Sequence, residues 1–164
     1  MRRRQVLSTL GAMASTAIAS FLAMPTLVYL FAPRRRESVE GAWIDLGPLE
    51  ALPQGAPVLV RYAVEVRDGW MNRARPASVW VLRQDDSLHV LNSTCPHLGC
   101  AVRWKREDSQ FGCPCHASAF AADGRRLSGP APRALDALPW KVEEGRLLVR
   151  HLDYRPGLAE QLPA

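Results

Sequence analysis

The chain has 164 residues, 48% of them hydrophobic, and a formal net charge of +5, which leaves room for one domain and a membrane segment. The excess charge is largely two arginine triplets, Arg2-Arg3-Arg4 and Arg34-Arg35-Arg36, and these suit anionic lipid headgroups and export better than nucleic acid. From Glu37 onward both signs are interspersed, with no aromatic-and-basic stripe of the kind single strands require, so a nucleic-acid partner is set aside.

In chain order, the first element expected is a membrane helix. No charged side chain occurs from Gln5 to Ala32, a run of 28 residues, whereas a spanning helix needs ~20. Arginines flank it on both sides, so the positive-inside rule says little about orientation. Arg3-Arg4-Gln5-Val6-Leu7 resembles a twin-arginine export signal, which moves proteins already folded around a cofactor. That places the chain in a bacterial cytoplasmic membrane as a single-pass protein, N-terminus inside and head on the outer, periplasmic side. Ala17-Ile18-Ala19 resembles a small-residue cleavage site, but Phe21 to Ala32 stays apolar beyond it, so residues 1–32 read as an uncleaved anchor. Pro33 to Gly41 is polar and follows a helix-ending proline; residues 33–41 read as a hinge linker, or else an inert spacer, before a head at 42–164.

The head reads as β. Val58–Arg67 alternates imperfectly, and Ser78–Arg83 and Leu88–Asn92 flank an Asp85-Asp86 turn. Ala101–Lys105, Gln110–Gly112 and Ala119–Ala122 are short strands, with Asp123-Gly124 as a hairpin turn. Lys141–Glu143 and Arg146–Arg150 meet at Glu144-Gly145. No helical period follows the anchor, so the head is expected to be all-β, in stacked antiparallel sheets. His89 and His151 fall in strand-like runs and read as structural or surface residues, and the Tyr154-Arg155-Pro156-Gly157 segment carries no derivable role.

All four cysteines lie in two short loops, C-P-H-L-G-C at Cys95–Cys100 and C-P-C-H-A-S at Cys113–Ser118, and each loop supplies one histidine. Cys95-x-His97 is followed, after fifteen residues, by Cys113-x-x-His116. A Cys and a His from each of two loops make the ligand set of a Rieske iron–sulfur cluster. Two thiolates and two neutral imidazoles leave an oxidised [2Fe–2S] core near zero charge, which raises its potential to roughly −150 to +300 mV. Cys95 and Cys113 are assigned to one iron, His97 and His116 to the other, and the histidine iron is expected nearer the surface, where imidazole exchanges protons with a substrate. The remaining pair, Cys100 and Cys115, one in each loop, suggests a disulfide clamp. A structural zinc site and ordinary disulfide cysteines are the other readings of these residues.

The loops resemble those of the Rieske subunit of quinol-oxidising cytochrome bc complexes, which read C-T-H-L-G-C and C-P-C-H-G-S. Pro96 and Ala117 are the departures, and Ala117 in place of glycine asks for a backbone that tolerates a methyl group. The resemblance is specific from Cys95 to Pro132 and diffuse before Val90. It implies a Rieske fold with a cluster-binding subdomain at about 93–133 inserted into a base domain. It also implies a retained anchor and a tether that lets the head swing.

Under this resemblance Ser118 matches a serine that donates to a bridging sulfide, and Gly129-Pro130-Ala131-Pro132 matches a proline-rich loop that covers the cluster. High-potential members carry a tyrosine where this chain has Phe120. Losing that donor to sulfur, at about 1.5–3 kcal/mol, lowers the potential by roughly 60–130 mV, so a low-potential quinol such as menaquinol is expected. His116 corresponds to the quinol-bonding histidine, with His97 exposed beside it, and Leu98 to an apolar rim residue. The implied partners are cytochrome b, a c-type cytochrome, quinol and the membrane. Two further readings are the small Rieske subunit of a periplasmic molybdenum oxidase such as arsenite oxidase, and a soluble Rieske ferredoxin.

Overall fold

The computed structural model describes residues 2–31, 37–38, 42–68, 71–84 and 87–164. The chain forms two compact units, 1–35 and 36–164.

The first unit is one helix, α1 (Arg3–Phe31, 29 residues), and none of its residues is buried. It is long and apolar enough to cross a membrane, spanning about 43 Å at 1.5 Å per residue. The hydroxyls of Thr9, Thr16 and Thr26 donate to the carbonyls of Gln5, Ala12 and Leu22 one turn back. Those hydroxyls therefore need no water, and the Thr26 bond sits beside Pro25, where the helical ladder loses a donor.

The second unit is three antiparallel sheets, as the strand pattern implied. One has the order β1-β3-β4-β5, with β1 (Glu37–Ser38), β3 (Val58–Asp68), β4 (Met71–Gln84) and β5 (Ser87–Asn92). A second, β10-β11-β2, is built from β2 (Trp43–Pro48), β10 (Trp140–Glu143) and β11 (Arg146–Arg150). The third, β6-β7-β8-β9, contains β6 (Arg103–Lys105), β7 (Gln110–Gly112), β8 (Ala119–Phe120) and β9 (Arg126–Ser128). The β10–β11 hairpin turns at Glu144-Gly145 with φ of 49° and 73°, the two positive values of a primed turn that matches strand twist.

The largest differences from the sequence reading concern one boundary and two strands that it did not contain. β4 begins at Met71 rather than Ser78, running through Pro76. Pro76 is tolerated because β5 pairs β4 only from Val79 to Gln84, so that side of the earlier residues has no ladder to break. β2 carries Gly47 and Pro48 and was not expected; it is an edge strand, paired only with β11, where proline is admissible. β9 is three exposed residues, too short to show a period. Of the expected linker, Glu37–Ser38 pair with β3, while residues 33–36 and 39–41 lie outside the described residues, as does the Asp85-Asp86 turn.

Two apolar cores result. Val79, Val81, Val90, Leu138, Leu147 and Val149 fill the base between the first two sheets. Leu91, Val102, Phe111, Phe120, Ala131 and Leu135 form the second core around Cys95 and Cys113, with Trp80 tilted and Trp104 edge-on against Phe111 at centroid distances of 5.3 and 4.9 Å.

A polar network closes the base where the chain leaves β11. Tyr62 Oη and His151 Nδ1 share a hydrogen bond at 2.7 Å, and Arg75 pairs with Asp153 at 2.6 Å. Hydrogen bonding from His151 holds the Asp153 carboxyl below its ordinary range, opposed by burial and aided by the Arg75 charge. A carboxyl lowered in the folded state contributes stability that is present above the unfolded value of about 3.9 and fades as pH falls through the folded one. Thermal unfolding followed from about pH 6 to about pH 3 should lose less Tm in Asp153→Asn than in the wild type. Parallel curves would show that the carboxylate contributes nothing.

Candidate metal centre

The first loop leaves β5 and closes on itself. Thr94 bridges Ala101, the Cys95 N–H donates to the Cys100 carbonyl at 2.7 Å, and the Gly99 N–H donates to the Cys95 carbonyl at 3.0 Å. Gly99 sits at φ +82°, a left-handed value that glycine adopts without cost. The second loop is shut by the Cys113 N–H donating to the Ser118 carbonyl at 2.8 Å, with the β7–β8 pair at its base. Ala117 lies inside it at φ +55°. This is the backbone question that alanine in place of glycine raised, and a methyl group is strained there by about 1–2 kcal/mol.

Cys100 and Cys115 form the expected disulfide, joining the two loops at a Cα–Cα distance of 6.6 Å. Cys95 and Cys113 remain free thiols, both buried. The Cys113 sulfur lies within 4.8 Å of both disulfide sulfurs, but those two are spent on each other and leave one donor in that trio. His97 and His116 stand together at 4.8 Å between ring centroids, edge to face. His97 is partly buried and His116 exposed. The site thus has thiols facing the core and imidazoles facing out, and Leu98 projects beside them at 62% exposure.

The residues fit a [2Fe–2S] cluster. His97 Nδ1 is buried without a hydrogen-bond partner among the described residues, which is costly for a polar atom unless something else meets it. Burial pushes the Cys95 thiol above its ordinary range. The His97 N–H and the Ser118 hydroxyl oppose this by hydrogen bonding, while the neighbouring Cys113 adds to it. A bound metal cation reverses that balance by taking the thiolate outright. Ser118 is 1% exposed and its Oγ accepts the Ala131 N–H at 3.1 Å, which leaves its own proton free for sulfur. Phe120 is wholly buried in the core that holds both thiols and brings no hydroxyl there.

The proline-rich loop meets the second loop through Gly129. At φ +89°, a Cβ on Gly129 would lie 2.4 Å from the Ser118 Cα. Sequence reasoning chose that loop by position but missed this contact, which no local pattern encodes.

Two inward sulfurs and two outward imidazoles on an all-β head define a redox iron–sulfur protein. The description "Rieske [2Fe-2S] domain" matches residues 42–139, and the chain belongs to that family. Among curated proteins it is similar to the menaquinol:cytochrome c reductase iron-sulfur subunit of Geobacillus thermodenitrificans, 30% identical over 80% of this chain and 83% of the relative. It is also similar to the cytochrome b6-f complex iron-sulfur subunit of Gloeobacter violaceus, 33% identical over 91% of this chain and 82% of the relative. The structure of the cyanobacterial plasma membrane Rieske protein PetC3 from Synechocystis PCC 6803 aligns at 28% identity, covering 66% of this chain and 99% of that one with a TM-score of 0.46.

Two substitutions test the loop contacts in opposite directions. Ala117→Gly relieves the left-handed strain, partly offset by the greater freedom of unfolded glycine, and should stabilise the head by about 0.5–1 kcal/mol in chemical denaturation. Gly129→Ala forces the two loops apart and should lower both Tm and bound iron. A Gly129→Ala protein with wild-type Tm and iron content would refute the close approach.

Proposed function

We propose that this chain is the electron-transfer Rieske subunit of a cytochrome bc complex, oxidising membrane quinol and passing the electron to a c-type cytochrome. The observation that carries it is the disposition of donors, with Cys95 and Cys113 buried and His97 and His116 turned outward across a disulfide-joined pair of loops. Both curated relatives described above are named as iron–sulfur subunits of cytochrome complexes, one of them a menaquinol:cytochrome c reductase. They favour this reading over the small subunit of a molybdenum oxidase such as arsenite oxidase. The helix α1 serves as the uncleaved anchor after twin-arginine export, with the head outside and residues 33–41 as the hinge.

Cys95 and Cys113 hold one iron and His97 and His116 the other. The cluster supplies a one-electron acceptor at a potential that its mixed ligands raise above that of all-cysteine ferredoxins. His116, the more exposed imidazole, would hold the iron through one ring nitrogen and, when the other is deprotonated, would accept a hydrogen bond there from a quinol hydroxyl and take up its proton, with His97 beside it. Leu98 gives the quinol an apolar rim. The Gly129–Pro132 loop and the disulfide exclude water from the thiol side. Ser118 directs its free O–H at sulfur, a donor that favours the reduced, more negative state. Phe120 withholds a second such donor, which suits a low-potential quinol such as menaquinol.

His116→Ala should lose the cluster, read as iron content and the EPR spectrum of the reduced protein. Leu98→Ala should keep both and slow quinol oxidation in the assembled complex. An intact, wild-type cluster in His116→Ala would overturn the ligand assignment. Phe120→Tyr should raise the midpoint potential by roughly 60–130 mV in a redox titration. An unchanged potential would remove Phe120 from the account of quinol choice.

A further inference from the structure

We propose that residues 154–162 form a strap that fixes the peptide between Pro96 and His97, with Arg133 as the positioning residue that latches it. The inference rests on the reading of Cys95 and His97 as cluster ligands and concerns a segment to which that reading gives no part.

After β11 the chain folds back on itself. The Arg155 N–H donates to the Leu162 carbonyl at 2.9 Å, the Ala164 N–H to the Asp153 carbonyl at 2.9 Å, and Tyr154 bridges Pro163. Its root is held by the Arg75–Asp153 pair. Its body is held by Arg133, which follows the proline-rich loop. The Arg133 guanidinium grips Asp136 in a bidentate pair at 2.7 and 2.8 Å and also donates to the carbonyls of Leu158 and Arg155. The two side chains are only 9% and 5% exposed, so the fork is fixed in place, and a lysine could not satisfy all four acceptors.

The far side of the strap reaches the metal centre. The Gly157 N–H donates to the Pro96 carbonyl at 2.8 Å, from a glycine at φ +78°. That carbonyl belongs to the same peptide plane as the His97 N–H, two residues along from the Cys95 thiol. One rigid plane therefore carries both the oxygen held by the strap and the amide of a residue read as a cluster ligand. A cavity of about 50 Å³ behind it is lined by Cys95, Pro96 and Gly99 from the loop and by Tyr154 and Pro156 from the strap. Rotation of that plane would turn the His97 N–H relative to the Cys95 sulfur and re-aim the His97 side chain. An N–H dipole turned away from sulfur favours the reduced, more negative cluster less, so release of the strap lowers the potential.

The test uses the full chain with Arg133→Lys, which keeps the charge beside Asp136 but not the fork, and Gly157→Pro, which removes the N–H and cannot adopt φ +78°. Arg146→Gln, which breaks the exposed pair with Asp45 on the hairpin sheet, serves as the control. Amide exchange is measured with and without iron, and midpoint potential and EPR g-values on the cluster-loaded protein. Both strap variants should exchange the His97 and Gly99 amides roughly tenfold faster or more, with β3–β5 unchanged. Their midpoints should be lower and their g-values shifted, and the control should match the wild type in each. Wild-type exchange at those amides in both variants, or faster exchange with an unmoved midpoint, overturns the proposal. If Arg133→Lys does not fold, Gly157→Pro on its exposed segment decides alone. A wild-type protein that binds no iron would defeat the ligand reading instead, and the exchange measured without iron would still decide whether the strap holds the loop.

Discussion

The Cys100–Cys115 disulfide holds together two loops that arrive from different strands, and the metal centre depends on that joint. Each loop brings one thiol and one imidazole, and neither loop alone can supply a paired set. Without a covalent tie, the donors would sit on two short excursions closed mainly by their own backbone hydrogen bonds, which loop entropy readily opens. With the tie, both thiols stay against the apolar core and both imidazoles stay at its rim. Such a tie persists in an oxidising compartment.

The core below the site works on the sulfurs as much as on stability. Phe111, Phe120, Val102 and Leu135 pack around Cys95 and Cys113, so the two thiols lie in low dielectric with few donors nearby. Those donors are specific: the His97 N–H and the Ser118 hydroxyl act on Cys95. In such surroundings each hydrogen bond to sulfur counts for more than it would in water. The base domain has a separate core, which lets the site's surroundings vary in polarity without loosening the larger sheets.

Three contacts to the backbone knit the outer shell of the site. Gly129 brings the proline-rich loop onto the backbone of Ser118, Arg133 ties the following residues to the segment after β11, and Gly157 returns to Pro96. Residues far apart in the chain thus meet both loops of the site. The strain at Ala117 persists because the disulfide and the β7–β8 pair over-determine the conformation of its loop.

Much of this was legible before any coordinates. The cysteine and histidine spacing marked the donors, because metal chemistry dictates residue types directly. The uncharged run from Gln5 to Ala32 marked α1, because hydrocarbon admits only a long apolar helix, and the Glu144-Gly145 turn stood out because a primed hairpin turn requires positive φ. Strands β2 and β9 were not legible. One carries glycine and proline that only an edge position excuses, and the other is too short for a period. The contacts of Gly129 with Ser118, Arg133 with the strap and Gly157 with Pro96 were decided by tertiary structure alone. Each has a backbone atom on at least one side, and backbone atoms are the same at every residue, so the sequence offers nothing by which those partners could be chosen.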